Sequence, residues 1–295
     1  MDVTGIDRRV VTEAVSRALA EDLGPLGDLT AALVPVEARA HGAIVSRSPG
    51  VLAGAQCAAE AFALVDASID VGWCRRDGDE VEPGTVVAVV EGPLASVLTA
   101  ERTALNFLGH LSGIATLTRR YVDAVRAVNP GTRVLDTRKT TPGLRALEKA
   151  AVRAGGGHNH RSGLSDAVLV KDNHLSGLSV ADAVARARHL WPGRMVEVEC
   201  DRPDQVDEAV TTGATVVMLD NMSEEDVGRC AERVHGAGRG ILVEVSGGVD
   251  LESAPRMARA GADLISVGAL THSAPVLDLG LDLDGDRPTA PPDGD

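Results

Sequence analysis

Two periodicities divide the chain. Residues 6–23 set Ile6, Val10, Val11, Ala14, Val15, Ala18, Leu19 and Leu23 at helical spacing, and Gly24-Pro25 closes the segment. Residues 41–96 alternate instead. HGAIVSRSPGVLAG reads as two strands around a Ser-Pro-Gly turn, and DGDEVEPGTVVAVVEG as a turn, a short strand, a Pro-Gly turn and another strand. Helical spacing returns over 97–128, with Leu98, Leu105, Leu108 and Leu111 on one side. Gly109 and Gly113 are expected to break this stretch into two helices.

From residue 133 onward the pattern repeats. VLDT (134–137), AVLVKD (167–172), MVEVEC (195–200), TVVMLD (215–220), ILVEVSGG (241–248) and LISVGAL (264–270) are short apolar runs, separated by helix-like segments at 142–154, 178–190, 203–212, 223–237 and 251–261. Strands that are apolar throughout and alternate with helices predict a parallel sheet buried on both faces. No Gly-rich dinucleotide turn follows any of them, which favours a TIM-like parallel α/β barrel over an open doubly wound sheet.

Composition narrows the functions open to such a fold. The 295 residues carry a formal charge of −14 and only 2% aromatics, so anionic partners such as nucleic acid or membrane surfaces are disfavoured, as is base stacking. Cys57, Cys74, Cys200 and Cys230 form no C-x-x-C pair and read as reduced thiols. MDVTGIDRRVV lacks an apolar signal core and no run approaches membrane-spanning length, so a soluble cytoplasmic protein is expected.

The polar residues collect at the ends of the apolar runs. Asp136, Arg138 and Lys139 follow the first, and Lys171 and Asp172 the second. Glu197 and Glu199, Asp220 and Asn221, then Glu244, Ser246, Gly247 and Gly248, and finally Gly268 follow the others. The C-terminal ends of parallel barrel strands share one mouth, where active sites lie. Residues 133–174 hold eight Lys or Arg against four acids, +4 in a chain of −14, leaving −18 elsewhere. A cationic focus in an anionic protein fits a small, strongly anionic ligand, with Arg matched to carboxylates and Lys to phosphates. Glu199 and Asp220 suit Mg²⁺ completed by substrate phosphate, or a ribose hydroxyl. Ser246-Gly247-Gly248 and Gly268 offer unobstructed backbone N–H groups to a terminal phosphate. GGGHNHR (155–161) matches neither a dinucleotide fingerprint nor a phosphate loop, and His158, His160 and His174 lack convincing metal spacing. A glycine turn bringing His160 and Arg161 to the mouth fits better.

DTRKTTPGLRALEK, GGGHNHRSGLSDAVLVKDNHL, EVEC, VVMLDN, EVSGG and SVGALTHS, with EDLGPLGDLT and TAERTALNFLGHLSGIAT before them, closely resemble the quinolinate phosphoribosyltransferase family. Ala150 and Ser162 depart from the residues common there. The resemblance implies an N-terminal α/β sandwich domain (1–112, joined by 273–283) beside an irregular parallel α/β barrel (113–272), working as a homodimer. It implies that Arg102 reaches the neighbouring subunit's site. Arg102, Arg138, His160, Arg161 and Lys171 would surround the dicarboxylate quinolinate, and Lys139 would contact it or the diphosphate of phosphoribosyl pyrophosphate. Glu199 and Asp220 would hold Mg²⁺ and the ribose, and Ser246, Gly247, Gly248 and Gly268 the 5-phosphate. Lys139, Lys171, Glu199 and Asp220 are the catalytic candidates. The alternatives are a relative acting on nicotinate or another heterocyclic acid, and a non-catalytic anion-binding barrel. DLDGDRPTAPPDGD at the end matches nothing and reads, over 284–295, as a disordered tail.

Overall fold

Asp7 begins the first helix. In the computed structural model, which describes residues 5–175 and 177–284, its side chain accepts the Arg9 N–H at 2.9 Å and α1 runs Arg8–Leu23. Val11, Ala14, Val15 and Leu19 share the buried face, and Gly24 closes the helix at a φ of 55°. The β-rich stretch follows: β1 (Arg39–Ser46), β2 (Gly50–Val51), α2 (Ala55–Val65), β3 (Asp70–Trp73), β4 (Glu80–Val81) and β5 (Val86–Pro93). β5 pairs antiparallel with β1 on one side and β3 on the other, while β2 pairs with β4.

The next helix corrects an expectation. α3 (Leu94–Arg126) is one continuous helix of 33 residues, unbroken at Gly109 and Gly113. The glycines make room for another stretch of backbone. A Cβ on Gly113 would overlap the Pro275 carbonyl oxygen, and one on Gly109 would come to 3.1 Å from that of Leu277. Each glycine lowers helix propensity by about 1 kcal/mol, which intact intrahelical hydrogen bonds and packing override.

The chain forms two compact units. Among the described residues, the first takes in those up to Leu117, Pro142–Gly155 and those from Ala274 onward; the second is Thr118–Thr141 and Gly156–Ser273. The division thus falls inside α3, and 142–155 belongs with the first unit. That segment carries α4 (Arg145–Ala154), where Leu147 through Val152 are all buried and Glu148 is met by His110 Nε2 at 2.8 Å.

The second unit contains β6 (Arg133–Leu135), β7 (Val168–Val170), α5 (Asp172–Leu175), α6 (Val180–Leu190), β8 (Val196–Cys200), α7 (Pro203–Thr212), β9 (Val216–Asp220), α8 (Glu224–Gly236), β10 (Leu242–Ser246), α9 (Ser253–Arg259), β11 (Leu264–Ser266) and α10 (Ala269–His272). The strands form one parallel sheet in the order β6-β11-β10-β9-β8-β7. That is the cyclic order of an α/β barrel whose seam lies between its first two strands; among the described residues no ladder joins β6 to β7. Local signals agree with this layout. Ser179 and Ser223 cap α6 and α8 by accepting the Asp182 and Asp226 N–H groups, and Gly213 ends α7 at a φ of 80°. Valines at 196, 198, 216, 217, 243 and 245 are buried, as a sheet covered on both faces requires. β12 (Leu279–Leu283) pairs antiparallel with β1, so this segment completes the first unit's sheet. Apart from Asp284, the 284–295 tail lies outside the described residues.

Candidate active site

A cavity of about 540 Å³ opens in the second unit. Its polar wall comes from residues at or beside the strand ends: Thr137, Arg138 and Lys139 after β6; His160 and Arg161 before β7; Lys171 after it; Glu199 on β8; Asp220 at the end of β9 and Asn221 after it; and Ser246 at the end of β10, followed by Gly247 and Gly248. Parallel strands deliver their C-terminal ends to one side, which is why residues far apart in sequence converge here.

Each group is held by identifiable bonds. Asp136, fully buried at the end of β6, accepts the His160 N–H at 2.9 Å and the Asn159 Nδ2 at 2.6 Å, pinning the HNHR segment to the strand. Thr137 Oγ1 accepts the Lys139 N–H at 3.0 Å, and the Lys139 carbonyl accepts the Thr271 hydroxyl at 2.8 Å. A Cβ on Gly268 would meet Lys139 Cδ at 3.0 Å and His272 Nε2 at 3.2 Å, so Gly268 adjoins the Lys139 side of the cavity. Lys171 Nζ pairs with Glu199. Asn221, in left-handed backbone at φ 55°, donates from Nδ2 to Asp220 at 2.7 Å and from its backbone N–H to the Ser246 carbonyl at 3.1 Å. A Cβ on Gly247 would crowd the Asn221 backbone nitrogen at 2.8 Å, so the close approach of the segments that follow β9 and β10 requires glycine there.

The electrostatics show two opposed groups. Burial, and after it the charge of Arg138, lower the Arg161 guanidinium from its ordinary value, while Glu197 and Asp166 act the other way. Two guanidinium groups that oppose each other's charge favour an anion between them. Deeper in, Glu197 and Glu244 are 0% and 1% exposed. Burial first, then the neighbouring Glu197 carboxylate, push Glu244 up to about 8.

Of the sequence candidates, Arg138, Lys139, His160, Arg161, Lys171, Glu199, Asp220, Ser246, Gly247 and Gly248 all line this cavity. Arg102 does not: it lines another, in the first unit, with Asp22, Asp28 and Thr99. Thr137, Asn221, Glu244 and Ser266 also line the second unit's cavity, without a sequence-based role. Glu197 and Glu244 stand out in VEVEC and LVEVS as strand acids, and alternation puts Glu197 on the same face as Glu199. That signal was the one available.

The histidines have separate partners among the described residues. His158 extends the sheet beside β6 through backbone bonds, and His174 Nδ1 accepts the Lys171 N–H at 3.1 Å. His160, Glu197 and Glu244 each place a potential ligand atom within 4.8 Å of the others. However, the Arg161 N–H donates to His160 Nδ1 at 2.8 Å, which leaves the ring hydrogen on Nε2, pointing to Glu197 at 3.0 Å. A nitrogen carrying hydrogen is no metal ligand, so this is a hydrogen-bonded cluster. Glu199 and Asp220, which also line the cavity, offer hard oxygens that fit a cation completed by substrate oxygens.

Cations, carboxylates and glycine turns at the C-terminal end of a parallel α/β barrel define an enzyme-type site for a small polyanion. Two family models match the chain: Quinolinate phosphoribosyl transferase, N-terminal domain, over residues 28–112, and its C-terminal domain over 114–282. A probable nicotinate-nucleotide pyrophosphorylase [carboxylating] of Bacillus subtilis is 43% identical over 267 residues, covering 89% of this chain and 90% of the relative. The nicotinate-nucleotide pyrophosphorylase [carboxylating] of Mycobacterium leprae is 42% identical over 278 residues, covering 92% and 96%. A solved nicotinate-nucleotide pyrophosphorylase from Francisella tularensis superposes with a TM-score of 0.89 at 38% identity, covering 96% of this chain and 99% of that one. The chain belongs to the quinolinate phosphoribosyltransferase family.

Proposed function

We infer that the protein transfers a phosphoribosyl group from phosphoribosyl pyrophosphate to quinolinate with decarboxylation, giving nicotinate mononucleotide, pyrophosphate and carbon dioxide, a step of NAD biosynthesis. The observation that supports this most is one cavity in which Arg138, Arg161, Lys139 and Lys171 face Glu199, Asp220 and the Ser246-Gly247-Gly248 turn. The first group suits a dicarboxylate, the second a ribose and its phosphates.

The residues act by binding and orientation. Arg138 and Arg161 hold the ring carboxylates, with Lys171 beside them, and Lys139 reaches the diphosphate. His160 backs Arg161, its ring nitrogens both engaged within the protein. Ser246, Gly247, Gly248 and Gly268 hold the 5-phosphate. The pyridine nitrogen is already an unprotonated nucleophile, so no general base is required. Loss of pyrophosphate develops positive charge on the ribose, which Glu199 and Asp220 stabilise. Holding both reactants in line supplies several kcal/mol, about 7–11 at most. Ribosylation makes the ring nitrogen cationic, so it accepts the electron pair left as the adjacent carboxylate departs. Glu199 and Asp220 would hold Mg²⁺, which would supply charge neutralisation at the diphosphate. Arg102 belongs to the same reading as a contribution from the neighbouring subunit of a homodimer. A cytoplasmic location completes it, supported by four free cysteines, three of them buried.

Steady-state assays with quinolinate and with nicotinate, following carbon dioxide and pyrophosphate with and without Mg²⁺, test the reading. Quinolinate turnover with release of both, dependent on Mg²⁺, is expected. Preference for nicotinate without carbon dioxide, or no pyrophosphate release at all, overturns it.

A further inference from the structure

Glu197, Glu244 and Ser266 are buried in the second unit and have no part in the chemistry above. Burying two carboxyls together is unfavourable, and apolar residues of similar size would pack a barrel interior at least as well. Their bonds run in one direction. Ser266 Oγ and Glu244 Oε1 lie 2.5 Å apart. Glu244 Oε2 is 3.6 Å from His160 Nε2, and Glu197 Oε2 accepts from that nitrogen at 3.0 Å. The ring's other nitrogen accepts the Arg161 N–H at 2.8 Å, and the His160 N–H itself is fixed by Asp136 at 2.9 Å. Residue 160 is therefore gripped from β6 through its backbone and from β8 and β10 through its ring, and it passes that grip to Arg161, whose side chain lines the cavity.

We propose that Glu197, with Glu244 behind it, is a positioning residue that locks His160 as the Nε2–H tautomer, so that the bare Nδ1 holds the Arg161 backbone and aims its guanidinium at a quinolinate carboxylate. The proposal rests on the quinolinate reading for the identity of that carboxylate. It makes His160 a strut between the barrel floor and Arg161, not one of the substrate's own ligands. The chemistry requires a neutral imidazole, because an imidazolium or the Nδ1–H tautomer would set a hydrogen against the Arg161 N–H. A carboxylate at Nε2 selects the needed form, as such partners commonly do. Glu244, the second carboxyl, is tied to Ser266 and keeps Glu197 from turning away.

The full-length protein tests this in two ways. Long-range ¹H–¹⁵N spectra of histidine-labelled protein at pH 7, with His160 assigned by its loss in His160→Gln, should show a neutral ring protonated at Nε2. An imidazolium or an Nδ1–H tautomer overturns the proposal. In kinetics, Glu197→Leu should raise the quinolinate KM by about 10–100-fold, as misplacement of a binding group does. The phosphoribosyl pyrophosphate KM should stay within about threefold, and Glu197→Gln, which keeps an acceptor, should recover most of the loss. A folded Glu197→Leu protein with an unchanged quinolinate KM also overturns it. Should that variant not fold, the tautomer decides alone. Failure of the wild type to turn over quinolinate would sink the substrate assignment instead, and the histidine spectrum would still judge the strut.

Discussion

Glu244 is the residue whose ionisation the fold alters most legibly. Its carboxyl, 4.5 in the ordinary case, is raised to about 8 by burial and by the Glu197 charge. Between those values the folded chain keeps a proton that the unfolded chain has lost. Stability from this group is therefore whole below about pH 4.5 and declines as the pH rises through about 8. Glu244→Gln carries no such titration. Its melting temperature should match the wild type near pH 5 and exceed it by several degrees near pH 8.5, a difference on the order of a few kcal/mol. The same offset at both pH values would mean that Glu244 is already ionised in the fold. The sequence marks Glu197 and Glu244 as acids inside apolar strands, which is legible, but not that they face one imidazole. That needs the depth of each side chain in the barrel. Arg138, Lys139 and Lys171 were legible because a cation directly after an apolar strand has one place to go.

Elements were read well where their period ran for two turns or more, and less well where a residue's type was ambiguous. The α7 boundaries follow from Pro203 at its start and Gly213 at its end. α5 and α10, four residues each, are too short to show a helical period. Gly109 and Gly113 show the deeper difficulty, since glycine marks either a break or a close crossing, and only the distant partner segment at 275–277 decides which. The two readings differ in sign. Gly113→Ala in an open helix would stabilise by about 0.5–1 kcal/mol. Against the Pro275 carbonyl it should destabilise by roughly 1–3 kcal/mol, read as a lower urea midpoint with an unchanged slope. A gain in stability would mean that the 275–277 segment does not lie against α3 in solution.

At the scale of the molecule, strand–helix alternation foretold a parallel barrel, and the strand order bears it out with an open seam between β6 and β7. The seam was illegible because it depends on which strands fail to pair. The place of α4 was illegible too: it follows a barrel strand in sequence yet packs with the first unit. The proposed dimer makes its own prediction here. Arg102→Ala and Lys171→Ala should each lose most activity alone, and mixing them under conditions where subunits exchange should restore up to about a quarter of the wild-type rate, since hybrids rebuild one intact site. Hybrids that demonstrably form and stay inactive would rule out a site shared between subunits. A different consequence follows from β12. Residues 279–283 complete a sheet whose first strand holds residues 42–46, so the part of the chain synthesised first is finished last. Until the final strand leaves the ribosome, β1 presents a bare edge to the cell, and that interval is when a nascent copy is most open to chaperones and to mispairing.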